Sequence, residues 1–496
     1  MENLPSAETE ILEKATGKKS GEKTCETKRA DALDALRGLA VLAMILSGSI
    51  PFSGNALLPA WMYHAQLPPP EHIFRPDLPG ITWVDLVFPF FLFSMGAAIP
   101  FSLSKKVSSG VPEWKLALQS LQRGLLLAIF AIFIQHVKPY SISPEPGMWA
   151  WLTGVAGFVL LFPMFLRLPR EMKLSIKILI RLLGFGAAVL LLSGLSYPGG
   201  SGFSFTRSDI IILVLANVAF FGSLIWLFTQ NNILLRLGLL AFYLALRLTQ
   251  NVEGSWNLLL WYATPAGWLY KLYYLQYLFI VVPGTVAGDL ILRWMNSSEE
   301  KRNLLPEVKT RYVLGVFLIL ICIVVNLYGL FARALFATLV SDLVICLSGF
   351  LIFKKSKGAT GLLYRSLFNW GTYWLLLGIF FEAFEGGIKK DKSTLSYYFV
   401  TSGLAIYSYI ALSVLIDCIR KKKYFSLLIN CGQNPMIAYV AGSNFVMPVL
   451  AITGAGAVLN LLMINPFLGF IKGVLFTLLV ALLAGFFTAK KLFWRT

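Results

Sequence analysis

An all-α, polytopic integral membrane helix bundle is the fold this sequence predicts, and three observations predict it. Hydrophobic residues make up 57% of the 496 residues. Charged residues make up only 14%, against roughly 25% in an ordinary soluble protein. Apolar runs long enough to cross a bilayer recur along the chain, and the mean hydropathy is +0.70. A soluble protein of this length, about three domains, cannot bury so much apolar surface, so the solvent must be lipid. The net charge of +18 does not imply nucleic acid. Its basic residues sit in short clusters between apolar runs, where the positive-inside rule wants them.

Residues 1–33 carry Lys and Glu in near balance and lack an apolar stretch. They read as a polar cytoplasmic tail and not as a signal peptide, which leaves 34–496 as a single transmembrane domain. A hydrocarbon core ~30 Å thick needs about 20 apolar residues per crossing. Fourteen stretches qualify as candidates: 36–52, 82–103, 115–137, 149–168, 175–195, 208–229, 232–249, 270–294, 312–331, 335–353, 362–382, 395–419, 434–452 and 470–493. The first, seventh and thirteenth are short or interrupted, so the expected count is eleven to fourteen. If all of them cross, seven basic clusters fall on one side: Lys28/Arg29/Arg37, Lys105/Lys106/Lys115, Arg167 to Lys177, Lys301 to Arg311, Lys354/Lys355/Lys357, Arg420 to Lys423 and Lys490/Lys491/Arg495. That side is expected to be the cytoplasm, with both termini on it. The loops on the other side are poor in Lys and Arg, except 383–394, which holds Lys389, Lys390 and Lys392. Either a short loop tolerates these lysines, or they face an anionic ligand or a substrate entrance.

Four cysteines, Cys322, Cys346, Cys418 and Cys431, lie in or beside apolar runs, and Cys25 is in the tail. This is neither a disulfide framework nor a metal-ligand spacing, so no metal is expected. The chain has no nucleotide-binding glycine motif, no zinc-protease helix and no GxSxG elbow. Any chemistry must therefore occur within the bundle or at its rim.

Ionisable groups at membrane depth default to functional or pairing roles. Here they are Asp34, Arg37, Asp85, Arg123, His136, Arg236, Arg247, Asp289, Arg333, Asp342, Glu382 and Asp417. Arginines near helix ends can snorkel to the interface, but aspartates are too short to do so. The densest polar signal lies in 34–101. Asp34 is placed to cap the first helix, three residues before Arg37, which can snorkel or hold a phosphate. The loop 53–81 contains six prolines, which favour stiff, extended backbone, and it carries His64. Asp85 opens the second helix at a depth His64 can reach. A carboxylate orienting an imidazole makes a general base that works near neutral pH. The plainer reading is a surface histidine in an outer loop.

The run DALRGLAVLAMIL … YHAQ … GITWVDLVFPFFLFSMGAAIPFSL resembles the opening of the heparan-alpha-glucosaminide N-acetyltransferase family of transmembrane acyltransferases. The later stretches FFEAFEGGIKKDKSTLSYYFVTSGLA and NCGQNPMIAYV resemble its bacterial relatives. The resemblance implies an enzyme that takes acetyl-CoA from the cytosol. It would deliver the acetyl group to an amino sugar or related carbohydrate across the membrane, here a bacterial inner membrane. The family's catalytic histidine matches His64, and its helix-start Asp and Arg match Asp34 and Arg37. Asp85 matches the aspartate of the second helix and Asn434 an asparagine of a late one. Lysosomal members carry an asparagine where Gly48 aligns, between Ser47 and Ser49, a difference that concerns the acceptor.

On this resemblance, His64, oriented by Asp85, acts as general base or as acetyl carrier. Arg37, Lys105, Lys106 and Arg123 are the cations expected to hold CoA phosphates, and Asn434, Glu382, Glu385, Lys389 and Lys390 the side chains expected to contact the acceptor. A homodimer is one assembly it allows. The competing reading is a secondary transporter of a sugar or organic anion, although no internal repeat of the kind such folds carry is evident. A lipid- or polysaccharide-modifying enzyme with another acyl donor would share the architecture.

Overall fold

A computed structural model describes residues 30–298 and 306–496, without the side chains of 306–309. Most of the polar tail, together with Cys25, Lys28, Arg29, Lys301, Arg302 and the side chain of Lys309, therefore lies outside the described residues. The long helices are numbered in chain order. They are α1 (Asp31–Ser49), α2 (Trp83–Ser108), α3 (Glu113–His136), α4 (Met148–Phe165), α5 (Leu174–Ser193), α6 (Ile210–Thr229) and α7 (Ile233–Leu248). There follow α8 (Leu272–Asn296), α9 (Pro306–Phe331), α10 (Leu335–Lys354), α11 (Gly358–Phe380), α12 (Leu395–Cys418), α13 (Pro435–Ile452) and α14 (Pro466–Ala489). Among the described residues, strand pairing is limited to two isolated bridges, Leu166 with Trp494 and Tyr197 with Ser201. The protein is an all-α, multi-pass membrane bundle.

Twelve of these helices are long and apolar enough to cross a membrane, inside the expected range. The two that fall short do so for different reasons. Helix α7 has 16 residues, about 24 Å at 1.5 Å per residue, which is less than a hydrocarbon core. Helix α11 has 23 residues and is long enough, but Arg365, Asn369 and its tyrosines and tryptophans dilute its hydropathy. Helix α13 crosses with a π-helical turn at Gly442–Val446, which accounts for its interrupted pattern.

Helix α12 forms the centre, with every residue from Leu395 to Ser413 buried. Helices α1, α2, α8 and α11 pack around it. The α2–α8 contact is close because small residues face each other: a Cβ on Gly284 would lie 2.4 Å from the Phe93 carbonyl oxygen, and one on Gly288 2.3 Å from that of Ala97. Gly284 and Gly288 form a GxxxG pair, the spacing that lets membrane helices approach backbone to backbone. Because α12 follows directly on 381–394, that loop is rooted in the most buried part of the fold.

Candidate functional site

The helix start that carries Asp85 is a capping box. Thr82 Oγ1 accepts from the Val84 N–H at 3.3 Å, and Asp85 Oδ2 accepts from the Thr82 N–H at 2.9 Å. This reciprocal arrangement satisfies donors that a helix start leaves free. Asp85 Oδ2 also accepts from the Ala65 N–H at 3.2 Å, and the Asp85 carbonyl accepts from the Tyr397 hydroxyl at 2.8 Å. One carboxylate oxygen is thus spent on backbone. The other, Oδ1, lies 2.8 Å from His64 Nδ1. His64 is held from the opposite side too, since Thr82 Oγ1 donates to the neighbouring Tyr63 carbonyl at 2.6 Å.

The second imidazole nitrogen has a partner from far along the chain. His64 Nε2 lies 3.0 Å from Asp391 Oδ2. The Asp391 backbone is clasped by Gln66, whose Oε1 accepts from the Asp391 N–H at 2.8 Å and whose Nε2 donates to the Asp391 carbonyl. Lys390 Nζ lies 4.0 Å from Asp85 Oδ1. The His64 side chain is 11% exposed and the Asp391 side chain 49%, so the ring is enclosed and its outer partner is half in solvent.

Burial disfavours the imidazolium, but the Asp391 hydrogen bond and the contact and charge of Asp85 outweigh it. The His64 pKa is therefore raised above the ordinary histidine value, against a smaller opposing effect of Lys390. Burial acts upward on Asp391, yet His64 and Lys390 hold its carboxyl below the ordinary range. At rest the site is an imidazolium between two carboxylates. It becomes a base at Nε2 when the proton leaves and Asp391 gives way.

The remaining expected residues scatter. Glu382 pairs with Arg333 and accepts from the Ile388 N–H at 3.2 Å. Glu385 pairs with Arg247 at 2.7 Å and accepts from the Leu395 N–H at 2.7 Å. Their carboxylates are spent on shaping the loop, which corrects the expectation that they meet the acceptor. Lys390 is at the site, and Lys389 contributes its backbone to a turn closed by Thr394. Asn434 is also a correction. It donates to the Leu492 carbonyl at 2.7 Å, beyond the last residue of α14, whereas the first turn of α14 packs at Gly469 against Pro51 and Ala56 beside the His64 loop. Twenty-four helical residues, about 36 Å, separate those two ends.

Helix α1 begins at Asp31, so Asp34 lies within the first turn rather than at the cap. Asp34 Oδ1 lies 3.4 Å from Arg37 Nη1, and Arg37 also donates to the carbonyls of Gly432 at 3.2 Å and Ser94 at 3.0 Å. Arg37 is therefore a clamp between three segments, a correction to its role as a phosphate ligand. The approach it spans is tight: a Cβ on Gly432 would sit 1.7 Å from the Asp34 carbonyl oxygen. Lys105 and Lys106 end α2 about 30 Å from Asp85 by helix rise, and Lys106 Nζ donates to Gln119 at 2.6 Å. Arg123 is exposed on α3 one turn beyond Gln119.

A cavity of about 830 Å³ opens beside the His64 loop, lined by Gly48, Ser49, Phe52, Asp209, Asn444 and Lys472 among others. His64 is not among its lining residues, but Phe52 packs on Tyr63 with ring centroids 5.4 Å apart. The hydroxyls of Ser47 and Ser49, which flank the aligned Gly48, donate to Met44 and Ile45 carbonyls of their own helix at 2.7 Å.

Asp391 and Gln66 are the site residues that sequence reasoning missed. The available signal was a single aspartate among Lys389, Lys390 and Lys392 in a loop otherwise read only for its positive charge. No curated protein matches the chain. The family described as a domain of unknown function, DUF5009, matches residues 29–291, a span that holds His64 and Asp85 and stops short of Asp391. Since that match covers more than half of the sequence, the chain belongs to the DUF5009 family.

Proposed function

We propose that this protein is a membrane-embedded acetyltransferase. It would move an acetyl group from cytosolic acetyl-CoA to an amino sugar or related carbohydrate on the far side of a bacterial inner membrane, with both termini in the cytoplasm. The observation that carries the reading is the His64 imidazole set between Asp85 and Asp391 at one rim of the bundle. An acceptor ammonium competes with the imidazolium for Asp391, and in doing so opens Nε2. Neutral His64 then takes a proton from the acceptor while Asp85 stabilises the imidazolium that forms. The freed amine attacks the thioester carbonyl, the C–S bond breaks, and the proton passes from His64 to the departing CoA thiolate. Lys390 is the cation nearest to this point and suits a developing oxyanion. An acetyl-His64 intermediate would use the same nitrogen as nucleophile. Lys105, Lys106 and Arg123, at the opposite end of α2 and α3, suit the phosphates of a donor entering there.

The test is acetyl transfer by the purified protein in proteoliposomes, with acetyl-CoA supplied on one side and glucosamine on the other. His64→Ala is expected to abolish acetylated product while the protein is still recovered folded. Undiminished transfer by that variant would overturn the assignment.

A second reading, a secondary transporter of a sugar or organic anion, draws support from the 830 Å³ cavity and the π-helical break of α13 that borders it, since transporters bind solutes at interrupted helices. Saturable counterflow of a labelled sugar in the absence of CoA would favour it.

A further inference from the structure

Helices α9 and α10 form a hairpin whose outward faces are apolar, with Phe317, Val324, Val344 and Leu347 all exposed. Between the two helices lies a polar pair that the His64 site does not use. Asp342 and Asn326 are both 0% exposed. Asp342 is seven residues into α10, about 10 Å from its start, and an aspartate is too short to reach an interface from there. Asn326 Nδ2 donates to Asp342 Oδ1 at 2.8 Å and to the Cys322 carbonyl at 3.0 Å, and Cys322 Sγ lies 3.5 Å from the same Oδ1. Two buried oxygens are left over: Asp342 Oδ2 and Asn326 Oδ1 have no hydrogen-bond partner.

Every titratable group around Asp342 is neutral in its ordinary form. Cys322 comes from α9, Cys346 from α10 itself, and Tyr407 from α12, touching Cys346 at 3.5 Å. No Lys or Arg forms an ion pair with Asp342 among the described residues. An ionised carboxylate there would bear the desolvation cost of a buried charge, several kcal/mol, with only an amide and a thiol in return. It would also face the negative end of the Asn326 carbonyl dipole. One hydrogen removes all of these penalties. Placed on Oδ2 it cancels the charge, supplies a donor, and meets the acceptor that lacks one. The carboxyl and the carboxamide then close a ring of two hydrogen bonds, of which the N–H···O half is already formed.

We propose that Asp342 is a proton-binding site inside the membrane, holding its proton at neutral pH as one half of a carboxylic acid–carboxamide pair with Asn326. A metal cation is the poorer occupant, since the pair offers two free side-chain oxygens where hard cations take six or more. The site is independent of the acetyltransferase reading and stands or falls separately from it.

The experiment treats the full-length protein in detergent micelles with N,N′-dicyclohexylcarbodiimide and maps the adducts by mass spectrometry. A protonated carboxyl adds across one C=N bond: its hydrogen goes to nitrogen, its oxygen to carbon, and acyl migration gives a stable N-acylurea with no leaving group. Asp342 is expected to react about tenfold faster than Asp289, which is held ionised by Arg236. The rate should fall as pH is raised and should be the same in sodium and choline chloride. Reaction no faster than at Asp289 overturns the proposal. Protection by sodium but not by choline also overturns it, because the occupant would then be a metal cation. Independently, infrared spectra of the wild-type protein labelled with carbon-13 aspartate should contain the C=O stretch of an apolar protonated carboxyl, shifted by the label and absent from D342N. Absence of that band from the wild-type protein overturns the assignment without relying on the variant to fold.

Discussion

His64 and Arg236 are both buried cation-forming side chains set against aspartates, yet the two neighbourhoods are built differently. Arg236 lies about 18 Å deeper along α2, since Gly288 of α8 packs on Ala97 twelve residues beyond Asp85. Its Nη1 meets Asp289 at 2.7 Å and Thr285 at 3.2 Å, its Nε donates to Thr229 Oγ1 at 3.1 Å, and its Nη2 donates to the Thr229 carbonyl at 3.2 Å. Trp226 Nε1 completes Asp289 at 2.9 Å. Every partner there belongs to α6, α7 or α8 or to the last turn of one of them. At His64 one carboxylate belongs to a helix start and the other to a loop, and the loop carboxylate is half exposed. A closed set of partners makes a strut. A set with one removable member makes a site that can exchange a ligand.

Mutations break this contrast in a graded way. His64→Ala is expected to lower acetyl transfer by about a thousandfold, the scale of lost acid–base catalysis, with little change in thermal denaturation. An equal loss of melting temperature and of activity would mean that His64 is a strut as well. Arg236→Ala should do the reverse. It leaves Asp289 buried without its cation, so a destabilisation of about 3–5 kcal/mol is expected, read as a lowered melting temperature in detergent, while activity per folded molecule is retained.

Asp391→Asn sharpens the comparison through pH. Removing that charge lowers the proton affinity of His64, so the acid limb of the activity profile should move to lower pH, with less than about a tenfold change at its maximum. The sign is set by the raised folded-state pKa. The charge pairing stabilises the fold fully below the ordinary histidine value and is lost as pH rises through the raised one. Proteolysis within 381–394 is thus expected to quicken above that pH in the wild-type protein and to lose its pH dependence in Asp391→Asn. The smallest effect is expected from Asn434→Ala. It removes two hydrogen bonds to the C-terminal segment, a cost of about 1–3 kcal/mol, and leaves acetyl transfer per folded molecule unchanged.

The bundle was legible where one physical quantity dominates. Transfer into lipid is a local property summed over about 20 residues, so α2, α6 and α14 could be read directly. Amphipathic α7, with Arg236 and Arg247 buried and Leu234 and Phe242 exposed, was harder, because its polar face is paid for by α6, α8 and loop 381–394. The centrality of α12 left no trace, since a helix buried in protein and one facing lipid are equally apolar. In the candidate site, His64 and Asp85 were legible because a proline-stiffened loop leads straight into a helix start. Glu382 and Glu385 were misread because Arg333 and Arg247, which consume them, lie far off in the chain. Arg37 was misread because two of its acceptors are backbone carbonyls, which no side-chain pattern announces.

What the sequence determined by itself was the lipid environment, the approximate number of crossings and the joining of an imidazole to the carboxylate at the start of α2. Tertiary structure alone decided that Asp391 closes the other face of that ring, that Arg37 serves as a clamp, and that Asp342 lies where no cation reaches it. The reason is that hydrophobic transfer adds up residue by residue along the chain, whereas the worth of a charge depends on which distant groups the fold brings within a few ångströms.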